Sequence, residues 1–113
     1  MAAGNNYPSL TKYTEQEASN LGLGQAGVAF LSGTNTYTPP SGLVVVAIQF
    51  VEDTQFDADD ATTADENWPT DAQGGPGTNS VAINQTTMLA GMTIYGRWKT
   101  VAFDNGKAFL YLG

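Results

Sequence analysis

The sequence contains no cysteine and no histidine, and only four of its 113 residues are lysine or arginine. Without cysteine there are no disulfides, no thiolate metal ligands and no thiol nucleophile, so packing alone must hold the fold. Without histidine, the Ser-His and Cys-His systems of covalent catalysis are excluded as well. Basic charge is equally scarce: Lys12, Arg97, Lys99 and Lys107 stand against 11 aspartates and glutamates, for a formal net charge of −7. A chain so charged is repelled by phosphate backbones, and four cations are too few for a basic patch, so direct nucleic-acid binding is not expected.

Long hydrophobic runs are missing too. No stretch reaches the ~18 apolar residues of a membrane-spanning helix. The opening MAAGNNYPSL has no basic region leading into an apolar one, and Ala2 stands where myristoylation requires glycine. The expectation is a protein that acts in the cytoplasm in which it is made, or in a particle assembled there, with no membrane partner.

What is present reads as one domain, since a chain of this length buries roughly two-thirds of the surface it exposes when unfolded. Residues 1–24 have few large apolar side chains and no sustained period, which predicts an extended N-terminal arm preceding a domain over 25–113. AGVAFL, residues 26–31, reads as a strand, and 34–38 as a shorter one before the Pro39-Pro40 break. LVVVAIQFV, residues 43–51, is rich in β-branched side chains and too short for a helix, which predicts a central strand buried on both faces.

Eight of the eleven acids fall between Glu52 and Asp71. The polar stretch 52–80 is too long for an ordinary connection and reads as an exposed acidic loop. Residues 81–86 read as a short strand and 88–91 as a turn. With no long helical period in the sequence, the fold class expected is all-β: a small antiparallel sandwich or barrel, jelly-roll-like, with the arm and the acidic loop appended.

Asn105-Gly106 is a strong signal for a two-residue hairpin turn, because both residues tolerate positive φ. The implied register sets Asp104 against Lys107, Phe103 against Ala108, Ala102 against Phe109, Val101 against Leu110 and Thr100 against Tyr111. Alternation then places Val101, Phe103, Ala108, Leu110 and Leu112 on one side, with Trp98, Ala102, Phe109 and Tyr111 on the other. Both sides carry large apolar groups, whereas a sheet wet on one face should alternate apolar with polar. Two explanations account for the second face, another layer of the same small domain or a neighbouring polypeptide; because the chain has material for one core, a neighbour such as an identical subunit is the expected cover for part of it.

Three patterns in the sequence resemble chemical sites. GLGQAG, residues 22–27, matches G-x-G-x-x-G but lacks the strand before and the helix after that a dinucleotide site requires. Asp57, Asp59 and Asp60 offer oxygen ligands, yet an EF-hand alignment from Asp57 puts Thr62 at the glycine position and Trp68 at the bidentate glutamate. A solvated loop is favoured, so no metal is expected. Paired acids for glycoside hydrolysis need a rigid cleft, which a loop of small residues does not supply. The expectation is therefore a protein that is not an enzyme and carries no cofactor.

The ending LAGMTIYGRWKTVAFDNGKAFLYLG resembles the C-terminus of many small structural proteins of tailed double-stranded DNA phages, including capsid decoration (cement) proteins. The matching positions are Ala90, Gly91, Thr93, Ile94, Tyr95, Gly96, Arg97, Trp98 and Gly106. The resemblance covers only about the last 25 residues. It implies a virion protein on the capsid exterior, a homotrimer bound to the major capsid protein at local threefold positions. On that expectation Tyr7, Leu10, Tyr13 and Leu21 of the arm meet the capsid, while Tyr95, Arg97, Trp98, Phe109 and Tyr111 pack the hairpin or the oligomer. The alternatives are a tail, neck or head-fibre adaptor, or a glycan- or ion-binding module using the acidic loop with Trp68 and Tyr37.

Overall fold

The computed structural model of the protein describes residues 26–58, 61–65, 67–84 and 86–113. The anticipated arm with Tyr7, Leu10, Tyr13 and Leu21 lies outside the described residues, as do Asp59 and Asp60. Every regular element among the described residues is a strand: β1 (Val28–Ser32), β2 (Thr36–Tyr37), β3 (Val45–Phe50), β4 (Thr54–Phe56), β5 (Thr63–Ala64), β6 (Thr87–Met88), β7 (Thr93–Asn105) and β8 (Lys107–Leu112). All pairings are antiparallel, in the order β1-β8-β3-β7-β4-β6, with β2 and β5 also on β7. The chain thus has the small antiparallel all-β fold that its composition implies.

The β-branched run forms β3 and lies at the centre of its sheet, with β8 on one side and β7 on the other. Val45, Ile48 and Phe50 are buried, and a register shift between Val45 and Ala47 lets side chains on both sides of the break turn inward. Gln49 faces water, so burial is less complete than the unbroken apolar run implies.

The closing hairpin does not form. Among the described residues β7 and β8 share no ladder: Phe103 pairs with Phe56, and Ala108 pairs with Leu31 and Phe50. Instead β7 and β8 make one long ribbon bent at Gly106, whose φ is +109°. β1 and β2 follow one side of this ribbon, from Val28 opposite Tyr111 to Tyr37 opposite Val101. β3 and β4 follow the other, from Val45 opposite Leu112 to Phe56 opposite Phe103. The Gly33 N–H donates to the Gly106 carbonyl at 2.8 Å and the Val51 N–H to the Lys107 carbonyl at 2.9 Å, so both neighbours track the ribbon past its corner. A positive φ serves a kink as well as a turn, and here flanking strands on both sides hold the chain to a kink. The ribbon then curls far enough that the first half of β7 reaches the free edge of β3, at Val45 opposite Trp98 and Ile48 opposite Ile94.

The acidic stretch is scaffold as well as loop, which corrects the reading of 52–80 as an exposed excursion. It supplies β4 and β5, and Thr54, Phe56, Thr62 and Asp71 are almost wholly buried. β7 needs partners beyond β3, and β4 and β5 provide them. Asp71 Oδ2 accepts the Thr62 backbone N–H at 2.6 Å, while the Thr62 hydroxyl exchanges hydrogen bonds with the backbone of Ala102. The expected strand over 81–86 is displaced to Thr87–Met88: Val81 is largely exposed, and the Ile83 N–H donates to the Thr70 carbonyl.

The core lies between the two layers that the curled ribbon creates. Phe50 from β3, Phe56 from β4 and Phe103 from β7 meet with ring centroids 5.6–6.3 Å apart, two of the three pairs edge-on. Such aromatic pairs add about 0.5–1.5 kcal/mol each beyond their buried area. Trp98 is 1% exposed. Its indole N–H donates to the Pro69 carbonyl at 2.9 Å, which satisfies the polar edge of a buried ring. The indole folds back over Gly96, where an added Cβ would come within 2.6 Å of it.

Candidate protein-interaction face

Alternation along β7 divides the T-I-Y-G-R-W segment into two roles. Ile94, Gly96 and Trp98 turn inward, while Thr93, Tyr95, Arg97 and Lys99 turn to solvent. The inward set builds the core, which removes Trp98 from the residues expected to pack an oligomer. Alternation extended back from the expected turn sets it on the outer side. Val101, Ala102 and Phe103 are buried consecutively where β7 passes between layers, and that breaks the phase.

The outward residues of β7 join those of three neighbouring strands. In one row, Val28 of β1 lies opposite Tyr111 of β8, Tyr111 opposite Ala47 of β3, and Ala47 opposite Tyr95 of β7. In the next row, Phe30 lies opposite Phe109, Phe109 opposite Gln49, and Gln49 opposite Thr93. Tyr95 is 67% exposed, Phe30 and Val28 each 54%, and Phe109 39%. Apolar groups this open are stable in water only at a cost, and a contiguous set of them marks a contact surface. Phe30 and Phe109 lean on each other with centroids 5.1 Å apart.

Ala47 is the small floor of a groove of about 320 Å³, walled by Tyr95 on one side and Tyr111 on the other and closed by Gln49 and Thr93. The Tyr111 hydroxyl donates to Gln49 Oε1 at 2.7 Å, which fixes one wall. Two tyrosines flanking a small residue leave an open slot between aromatic walls, and exposed tyrosines are among the residue types that carry much of the binding energy where proteins meet.

All three described cations project from this side of the molecule. Lys107 shares the outward side of β8 with Phe109 and Tyr111, and Arg97 and Lys99 continue the outward row of β7. Arg97 Nε donates to Asp65 Oδ2 at 3.1 Å, and Lys99 Nζ lies 3.9 Å from Asp65 Oδ1. These groups are largely exposed, so the pairs place the cations more than they stabilise the fold. No outward strand position of the face carries a carboxylate.

Of the residues singled out from the sequence, Tyr95, Arg97, Phe109 and Tyr111 therefore share one face, and Trp98 lies beneath it. Val28 and Phe30 were missed, although VAFLS carries apolar residues at both parities, the same signal that exposed the second face of β8. Tyr37 packs against the core and does not stand out as a glycan platform. Asp57 lies beside Ala102, and among the described residues no three acidic side chains converge on a point that could hold a metal ion. The G-x-G-x-x-G stretch leads through Gly27 into β1 and not into a helix. No described helix is long and apolar enough to cross a membrane. No protein family, curated protein or solved structure matches the chain.

Proposed function

We propose that the chain is a structural protein of a virion that works by binding other proteins: a capsid decoration (cement) protein, homotrimeric, seated on the exterior of the mature head and bridging major capsid proteins. The observation that carries this reading is the open aromatic face of Phe30, Phe109, Tyr111 and Tyr95, a surface with the composition of a protein contact. The phage-like segment supports it from a second direction, since its outward residues Tyr95 and Arg97 lie on that face while its inward ones serve packing. Residues 1–24, with Tyr7, Leu10, Tyr13 and Leu21, are assigned to the capsid in this proposal, and the aromatic face to contact between subunits.

The mechanism is mass action. A protein that binds the assembled shell and not its dissociated subunits stabilises the shell at each site, by about 2.7 kcal/mol when its free concentration is a hundred times Kd. Neither covalent chemistry nor a cofactor enters.

Quantitative gel densitometry on purified particles tests the reading. Copies in fixed proportion to the major capsid protein, whose removal by mild salt leaves heads that burst more readily, are the expected result. A few copies that fractionate with tails would refute decoration and move the protein to the neck, tail or fibre class. Deleting residues 1–24 is expected to weaken saturation of stripped heads; equal saturation by the shortened chain would remove the arm from the mechanism.

A further inference from the structure

We propose that in the free chain the aromatic face is covered from within: residues 17–25 of the same molecule, the stretch that leads into β1, cross it with Leu21 seated in the slot between Tyr95 and Tyr111. The consequence for assembly rests on the decoration reading above; the contact itself does not.

The described chain begins at Ala26, whose N–H donates to the Leu112 carbonyl at 3.2 Å. Two residues on, Val28 lies opposite Tyr111, and Tyr111 opposite Ala47 at the floor of the slot. The preceding residues therefore join the domain at β1, the strand that bounds the face on one side.

Backbone geometry sets their reach. Ala47 is two strands in from β1, about 10 Å at roughly 4.8 Å per strand, and about 7 Å along the strands from Ala26, which puts the slot roughly 12 Å from the point of entry. Leu21 stands five positions before Ala26 and Leu23 three. Five extended residues span about 17 Å, enough to carry Leu21 over a tyrosine wall and into the slot, whereas three span about 10 Å and leave Leu23 over Val28 and Tyr111. The two leucines are two positions apart, so an extended backbone presents both to the sheet. Gly22 and Gly24 tolerate the reversal needed to turn over the edge, and Gly27 already takes a φ of +139°. Glu17, four positions before Leu21, brings a carboxylate towards a face whose outward strand positions carry cations and none of their own.

A segment tethered this closely meets the face at an effective concentration on the order of millimolar, which neither a second copy nor another protein matches in dilute solution. Under the decoration reading the shell takes up the same segment, Leu21 included. Seating on a head then lifts it from the face, so that subunits join where they are already bound and stay apart where they are free.

Because the sequence has no cysteine, an engineered pair reports the contact without interference. The full chain carrying Leu21→Cys and Ala47→Cys is oxidised in dilute solution and read by non-reducing gel and fragment mass. The expected product is an intramolecular disulfide whose rate of formation is independent of dilution and at least about tenfold above that of a Leu21→Cys, Val81→Cys control, whose second site is exposed off the four strands of the face. In a separate variant, Leu21→Ser with Leu23→Ser should raise the binding of an apolar dye several-fold with an unchanged circular dichroism spectrum. A disulfide that forms only between molecules would put the segment on a neighbouring copy and overturn the proposal. A rate equal to the control, or dye binding unmoved by the two serines, would overturn it as well. Stripped heads separate the two readings, since the oxidised chain should saturate them less than its reduced form, and equal saturation would refute the lifting step. Heads that ignore both forms while the disulfide is intact would refute decoration and leave the contact standing; heads that bind a chain forming no disulfide would refute the contact alone.

Discussion

Replacing Gly106 by alanine is expected to destabilise the fold by about 2–6 kcal/mol, from two costs of separate origin. The first is conformational: φ is +109°, a region that residues with a Cβ rarely adopt, at about 1–3 kcal/mol. The second is steric. An alanine Cβ would lie 2.5 Å from Thr54 Cα and 2.6 Å from Thr54 Cβ. Backbone on β4 cannot rotate away as a side-chain tip would, so the strand must shift, at about 1–3 kcal/mol for overpacking. Gly91→Ala is the control. Its φ is +89° and nothing lies within 4 Å of the added methyl, so it carries the conformational cost alone. Urea unfolding followed by tryptophan fluorescence measures both variants against the parent, with the m-value checked for constancy. The informative quantity is the difference between them. If Gly106→Ala costs no more than Gly91→Ala, residues 105–106 sit in an open hairpin turn, and the bent ribbon with its two flanking ladders is wrong.

Two further substitutions test the core. Trp98→Ala should cost about 3–5 kcal/mol through lost burial, and Trp98→Phe about 1–3 kcal/mol through the unpaired Pro69 carbonyl and smaller ring; thermal unfolding of Trp98→Phe that matches the parent within error would contradict the indole N–H bond. Thr54→Val keeps the side-chain shape but removes an oxygen that accepts the Lys107 N–H at 3.2 Å, and should cost about 1–3 kcal/mol. Hydrogen exchange at the Lys107 amide should accelerate in that variant, and an unchanged rate would show that the amide is protected by other means.

The parts of the fold legible in the sequence are those set by local chemistry. The β-branched run over Val45–Phe50 could bury its side chains only as a strand among strands, and it is one. Apolar residues at both parities of β8 announced the exposed Phe109 and half-exposed Tyr111. The illegible parts are set by what lies alongside. Asn105-Gly106 permits a reversal and a kink equally, since both need positive φ, and only β1–β2 and β3–β4 running past it decide between them. Phe56 and Thr62 sit singly among acids, so no period marks them as pins for β4 and the segment beyond it. The aromatic face draws on β1, β3, β7 and β8, and no local window holds all four.

The placement of β3 also bears on synthesis. Val45 pairs with Leu112, 67 positions further along the chain. At translation rates of about 5–20 residues per second, the apolar run waits roughly 3–13 s before the second of its two flanking strands leaves the ribosome. An unpaired β-branched segment is during that interval a template for aggregation. The next residues to emerge are the acidic ones from Glu52 onward, and a block of like charge directly following such a segment keeps nascent chains apart. The concentration of acids after β3 thereby guards the newborn chain before it serves the folded one.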